Sequence, residues 1–179
     1  EYQYDDCRRL AELWAQAGQI DRAQKALRGW RRLACPLEPV YLQEWAALLR
    51  QTGRDWMALQ ALRRGAQSSR DCCMKLGDLY AAMGRYPEAI RLFRQLSQDL
   101  PGEDEQLDRL AKCQLWSNDQ AGAKETAGRG LELLERNCSR YNKTMFYTRK
   151  AAFLIAAGRL NDAAAALDQA ESSPLCAQC

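Results

Sequence analysis

A pattern recurs along this chain with a period of about 34 residues, and a unit that short cannot enclose a core of its own, so copies must stack on one another. Its clearest mark is a glycine followed five positions later by alanine: Gly18 with Ala23, Gly53 with Ala58, Gly84 with Ala89, and Gly158 with Ala163. Glycine takes the left-handed conformation that ends a helix at little cost, and alanine leaves room where two helices cross closely. A bundle that obeys only the 3.6-residue helical period has no reason to repeat that pair at such intervals.

The most complete copy spans residues 70–103. It carries Leu76 and Gly77, then Tyr80, Gly84, Tyr86, Glu88, Ala89, Phe93 and finally Pro101, with Cys73 at the opening position. Gly84 is expected to end a first helix, Pro87 to sit at the start of a second where its missing N–H is not needed, and Pro101 to stop it. Residues 4–37 supply Leu10, Ala11, Trp14, Gly18, Ala23, Leu27 and Trp30, closing on Cys35-Pro36. Residues 39–69 supply Trp45, Ala46, Leu49, Gly53, Ala58 and Leu62 in a shorter copy, which predicts a trimmed helix or loop. Residues 104–143 supply Leu107, Leu110, Ala111, Asn118 at the turn and Ala123, and predict a longer second helix or loop. There Gly128 and Gly130 each cost about 1 kcal/mol relative to Ala, so local irregularity is expected unless neighbouring groups need the room. Residues 144–177 supply Tyr147, Ala151, Leu154, Gly158, Ala163, Leu167 and Pro174.

This frame resembles the tetratricopeptide repeat (TPR), and its five copies cover nearly all of 1–179 as one segment. The resemblance implies an all-α fold, a right-handed superhelical solenoid of antiparallel helix pairs, and a non-catalytic role in binding protein partners along the concave face. That face is lined in the family by first-helix residues pointing away from the second helix. Carried onto this chain, the candidates are Arg8, Arg9, Glu12, Gln43, Glu44, Arg50, Lys75, Asp78, Asp108, Arg109, Lys112 and Arg149, with Ala47, Met74, Leu115, Thr148 and Ala152 between them. Such a groove would take an extended or helical segment, its cations meeting carboxylates while apolar spots anchor it. Members that grip the C-terminal carboxylate of a chaperone carry Lys and Asn at fixed first-helix positions. The first three such helices here lack Asn, which disfavours that partner.

Composition narrows the chemistry. The chain has no histidine, which removes Ser-His-Asp and Cys-His nucleophiles, imidazole metal ligands and the commonest general base. There is no glycine-rich phosphate loop. The CAQC run at Cys176–Cys179 lacks the second cysteine pair that a zinc site needs, so neither a metal nor another cofactor is expected. No long apolar run and no basic-then-apolar leader is present, and a chain running from Glu1 to Cys179 reads as a piece of something longer. Arginines crowd the first half, but Glu12, Asp21, Glu38, Glu44 and Asp55 dilute them. An anionic polymer, polysaccharide or nucleic acid, is therefore the alternative ligand, and a cytosolic adaptor segment of a larger enzyme the alternative role.

Eight cysteines remain to be explained. Cys7, Cys73 and Cys113 fall at helix positions where a small apolar residue suffices. Cys35, Cys138, Cys176 and Cys179 fall near the ends of second helices, and the end of a second helix lies beside the start of its first. Cys7 and Cys35 could therefore bond within one repeat, contributing about 3–4 kcal/mol, while Cys176 could pair with Cys179 or Cys138. An even cysteine count at helix ends favours an oxidising compartment. In this respect the chain resembles the periplasmic TPR regions of bacterial exopolysaccharide export and outer-membrane systems. A periplasmic or otherwise exported location, with partners in an envelope complex and no membrane insertion of this segment, is the expectation; a cytoplasmic location is the alternative. The sequons at Asn137 and Asn142 are read as incidental.

Overall fold

The structure, a computed structural model, describes residues 2–33, 38–99 and 103–172. Among these it is all-α, with no strand. Ten helices follow one another: α1 Tyr2–Gln16, α2 Ile20–Leu33, α3 Glu38–Gln51, α4 Asp55–Gly65, α5 Arg70–Ala82, α6 Tyr86–Asp99, α7 Asp104–Trp116, α8 Gln120–Arg136, α9 Lys143–Ala156 and α10 Leu160–Glu171, with a short 3-10 turn at Cys138–Arg140. The expected Cys35-Pro36, Pro101 and Pro174 stops lie outside the described residues.

One turn, used five times, sets this rhythm. Gly18, Gly53, Gly84, Asn118 and Gly158 all have positive φ, between 66° and 77°. At each, the N–H of the following residue reaches back across the helix end, as from Gln19 to the carbonyl of Trp14 (2.8 Å), Arg85 to Tyr80 (2.8 Å) and Asp119 to Gln114 (2.8 Å). This double-bonded C-cap satisfies carbonyls that a helix end would otherwise leave bare. Asn118 fills the fourth turn because asparagine is among the few side chains that tolerate the left-handed region. Five residues past each turn an alanine is buried: Ala23, Ala58, Ala89 and Ala123 are fully inaccessible and Ala163 nearly so.

Helix lengths follow the spacing of the copies. The shortened second copy loses its residues from α4, at 11 residues the shortest helix, and the extended fourth copy gains them in α8, the longest at 17. The irregularity expected around Gly128 and Gly130 is absent, since α8 runs through both. Phe153 explains one of them: a Cβ on Gly130 would stand 2.2 Å from its Cε1. Gly128 faces open space.

The chain divides into two compact units, Glu1–Leu79 and Tyr80–Cys179. In the first, α1 packs on α2 and α3 on α4, while α3 also touches α1 and α2. Its interior rests on Ala11, Ala23, Leu27, Leu49, Leu59 and Leu62, each at most 2% exposed. In the second, α7 packs on α8 and α9 on α10, and α6, α8 and α9 contribute further contacts to their neighbours. Leu107, Ala111, Ala127, Leu134 and Phe153 form one of its cores, and Ala151, Leu154, Ala163 and Ala166 another. Two repeat-frame leucines are not core residues: Leu10 is 46% exposed and Leu167 41%. The buried stripe of α1 runs through Ala11 and Ala15, and that of α10 through Ala163, Ala166 and Ala170, which turns both leucines outward.

Candidate functional site

Four of the expected partner-binding residues converge in one place. Gln43 and Arg50 on α3, with Lys75 and Asp78 on α5, line a cleft of about 190 Å³ whose apolar lining comes from Ala46, Ala47 and Leu62. Gln43 and Arg50 lie two turns apart on one face of α3, and Lys75 and Asp78 one turn apart on α5. Leu62 and Ala46 are buried, whereas Arg50 and Lys75 are exposed. The cleft thus offers a narrow apolar floor with two cations and one carboxylate at its rim, suited to a side chain carrying a carboxylate beside an apolar stem.

A second group sits on the first turns of the array. Arg8 lies 3.4 Å from Glu12 on its own helix and 3.3 Å from Glu44 on α3, and Arg9, Glu12, Leu13 and Gln16 line the same shallow hollow. With Arg8 half exposed, this bridge contributes about 0–1 kcal/mol and leaves the pair available to exchange partners.

In the second unit the expected residues are engaged in ion pairs within the unit. Lys112 donates to Asp108 at 2.6 Å and Arg109 to Glu105 at 2.8 Å, both along α7. Arg149 has an internal role. Its Nη1 donates to Asp104 Oδ2 at 2.7 Å, Tyr141 Oη donates to Asp104 Oδ1 at 2.6 Å, and the guanidinium carbon lies 5.3 Å from the centroid of the Tyr141 ring. Asp104 is 4% exposed. Burial first, then the bond to Asp104, push the Tyr141 hydroxyl above its usual value. Arg149 is partly buried, which opposes its charge, but Asp104 outweighs that and holds it cationic. Asp104 was not singled out from sequence, where an acid in the first turn of a helix reads as a dipole partner on the surface. Met74 is buried at 8% exposure and offers nothing to a groove.

Of the cysteines expected in bridges, Cys7 and Cys138 are not joined to another cysteine among the described residues. Cys35, Cys176 and Cys179 lie outside the described residues. Cys72 is wholly inaccessible, its Sγ 3.5 Å from the carbonyl of Pro39 and against Gly65, where a Cβ would meet it at 2.5 Å. It acts as a small core residue. No described helix is long and apolar enough to cross a membrane.

No family model and no curated protein matches the sequence. Solved structures do match. A MamA from Desulfovibrio magneticus RS-1 superposes with a TM-score of 0.61 at 12% identity, over 96% of this chain and 98% of that one. A tetratricopeptide repeat protein from Parabacteroides merdae gives 0.54 at 15% identity, over 97% and 82%. At these identities the likeness is one of fold, and the all-α fold class is that of TPR-like solenoids.

Proposed function

We propose that the chain is a non-catalytic protein-interaction scaffold that holds an extended partner segment along its first helices, with the α3/α5 cleft as the principal anchor point. The observation that carries this reading is the convergence of Gln43, Arg50, Lys75 and Asp78 around Ala46, Ala47 and Leu62. Their charges sit at the rim while the floor is apolar, the arrangement by which a few anchored side chains dominate binding. An anionic polymer is less well served, because Glu12, Glu44 and Glu38 stand among the arginines that would meet it and would repel its charges. The absence of histidine supports the non-catalytic half of the reading.

The test is affinity capture from the native host with the wild-type chain and with the double variant Arg50→Glu/Lys75→Glu. A partner retained by the first and lost from the second supports the scaffold reading; a partner captured equally by both removes the cleft from it. The narrower placement, in an exported bacterial envelope complex with a periplasmic location, rests on the cysteine content alone. Counting thiols on native protein before and after reduction tests it: several disulfides support export, and eight free thiols argue for a cytoplasmic adaptor.

A further inference from the structure

A larger cleft lies elsewhere in the first unit, between the second helices α2 and α4, and none of the expected partner-binding residues lines it. Its volume is about 610 Å³, with Tyr41, Leu42 and Trp45 of α3 among its lining residues, Met57 and Ala61 of α4 on one side, and Arg28 of α2 and Arg64 of α4 beside them. Tyr41 and Trp45 are 6% and 7% exposed, so little of either side chain is open to the cleft, whereas Met57 is 43% exposed. Next to it on α4, Trp56 is 57% exposed.

Among the described residues that line this cleft, two cations, Arg28 and Arg64, stand against one carboxylate, Glu38. Glu38 is bridged to Arg64 at 3.2 Å, which leaves the charge of Arg28 unmatched in the lining. In the second unit the groove among α8, α9 and α10 is similarly built, but smaller, about 310 Å³. There Lys150 is bridged to Glu135 at 3.3 Å and Arg159 to Asp162 at 2.7 Å, so its charges are matched internally. The cleft of the first unit has an excess of positive charge and an exposed thioether.

We propose that the cleft between α2 and α4 is a second docking site, whose occupant is an acidic protein segment carrying one large apolar anchor. The anchor would displace water from the exposed parts of Tyr41 and Trp45 and pack against Met57, a flexible side chain that adapts to its partner. Carboxylates flanking the anchor would meet Arg28 and Arg64, the latter exchanging its exposed bridge to Glu38 at little cost. A nucleic acid fits less well, because so little of Tyr41 and Trp45 is exposed that neither offers a platform on which a base could stack. This site is independent of the α3/α5 cleft, and either can fail alone.

The probe is a fluorescein-labelled Glu-Glu-Leu-Phe-Glu-Glu peptide, followed by fluorescence anisotropy against the full chain. Controls are the same peptide with Lys replacing Glu, and one with Gly replacing Leu and Phe. The expected result is saturable binding of the acidic anchored peptide alone, weakened about tenfold by Arg28→Glu or by Arg64→Glu. Met57→Ser should weaken it as well, and helicity by circular dichroism should be unchanged in all three variants. The proposal is overturned if the peptide does not bind below about 1 mM, if it binds the charge-reversed variants as tightly as wild type, or if Arg50→Glu/Lys75→Glu alone abolishes binding. Displacement of the peptide by a dT oligonucleotide that itself binds more tightly would overturn it in favour of nucleic acid.

Discussion

Asp104 accepts a 2.7 Å hydrogen bond from Arg149, forty-five residues further along the chain. Together with the 2.6 Å bond from Tyr141, this ties the start of α7 to α9 and to the segment that follows α8. A carboxylate so enclosed would be costly to bury alone, and its two donors offset that cost. Arg149→Ala should therefore destabilise the chain by about 2–3 kcal/mol, and Asp104→Ala by about as much, because each leaves a buried charge or donor without its partner. The double variant should cost less than the sum. Urea unfolding measures all three, and a loss under 0.5 kcal/mol for Arg149→Ala would return Arg149 to the role of a groove residue.

Alkaline pH should act on the same cluster. The Tyr141 hydroxyl is held above its ordinary value of 10 by burial and by Asp104, so the folded state keeps its proton more tightly than the unfolded chain does. That contribution to stability is fully present below pH 10 and is lost as pH rises through the raised folded value. Tyr141→Phe removes it. The variant should unfold in urea with a flatter dependence on pH above 10 than wild type, and parallel curves would show that the phenol does not titrate with folding.

Much of the repeat was legible because its determinants are local. A glycine that must adopt positive φ and an alanine five residues later are both visible in a string of letters, and even Asn118 could be placed at its turn. The short α4 and long α8 follow from the spacing between copies. The role of Arg149 was not legible, since Asp104 and Tyr141 reach it across distant helices and nothing near any of the three announces the others. The outward turn of Leu10 and Leu167 was not legible for a related reason: the repeat frame names positions, but which of two adjacent apolar residues turns inward is decided by the alanine stripe beside it. The α2/α4 cleft is a product of packing and left no motif.

The turns themselves predict opposite outcomes for two small changes. Gly84→Ala places a Cβ at φ 73° and should cost about 1–2 kcal/mol although the surrounding space is open. Asn118→Gly relieves the same strain at the fourth turn and should be neutral or stabilising by up to about 1 kcal/mol. Thermal unfolding followed by circular dichroism distinguishes them. Equal losses at both positions would mean that the Asn118 side chain contributes more than its backbone conformation costs.

Gly128 and Gly130 share a helix and one residue type, yet α8 should respond to them in opposite directions. A Cβ at position 128 meets nothing within 4 Å, whereas at 130 it would stand 2.2 Å from Phe153 Cε1 and 2.5 Å from its Cζ. Gly128→Ala should stabilise by about 0.5–1 kcal/mol, the ordinary gain from replacing glycine inside a helix. Gly130→Ala should destabilise by about 1–3 kcal/mol, because Phe153 is fully buried and has no unstrained place to move. Adding Phe153→Leu to Gly130→Ala should then recover part of the loss, since the leucine removes the ring atoms that the new methyl meets. If Gly130→Ala proved stabilising by itself, the close approach of α8 and α9 at Phe153 would have to be relaxed in solution, and the core built on Leu107, Leu134 and Phe153 would be looser than its burial implies.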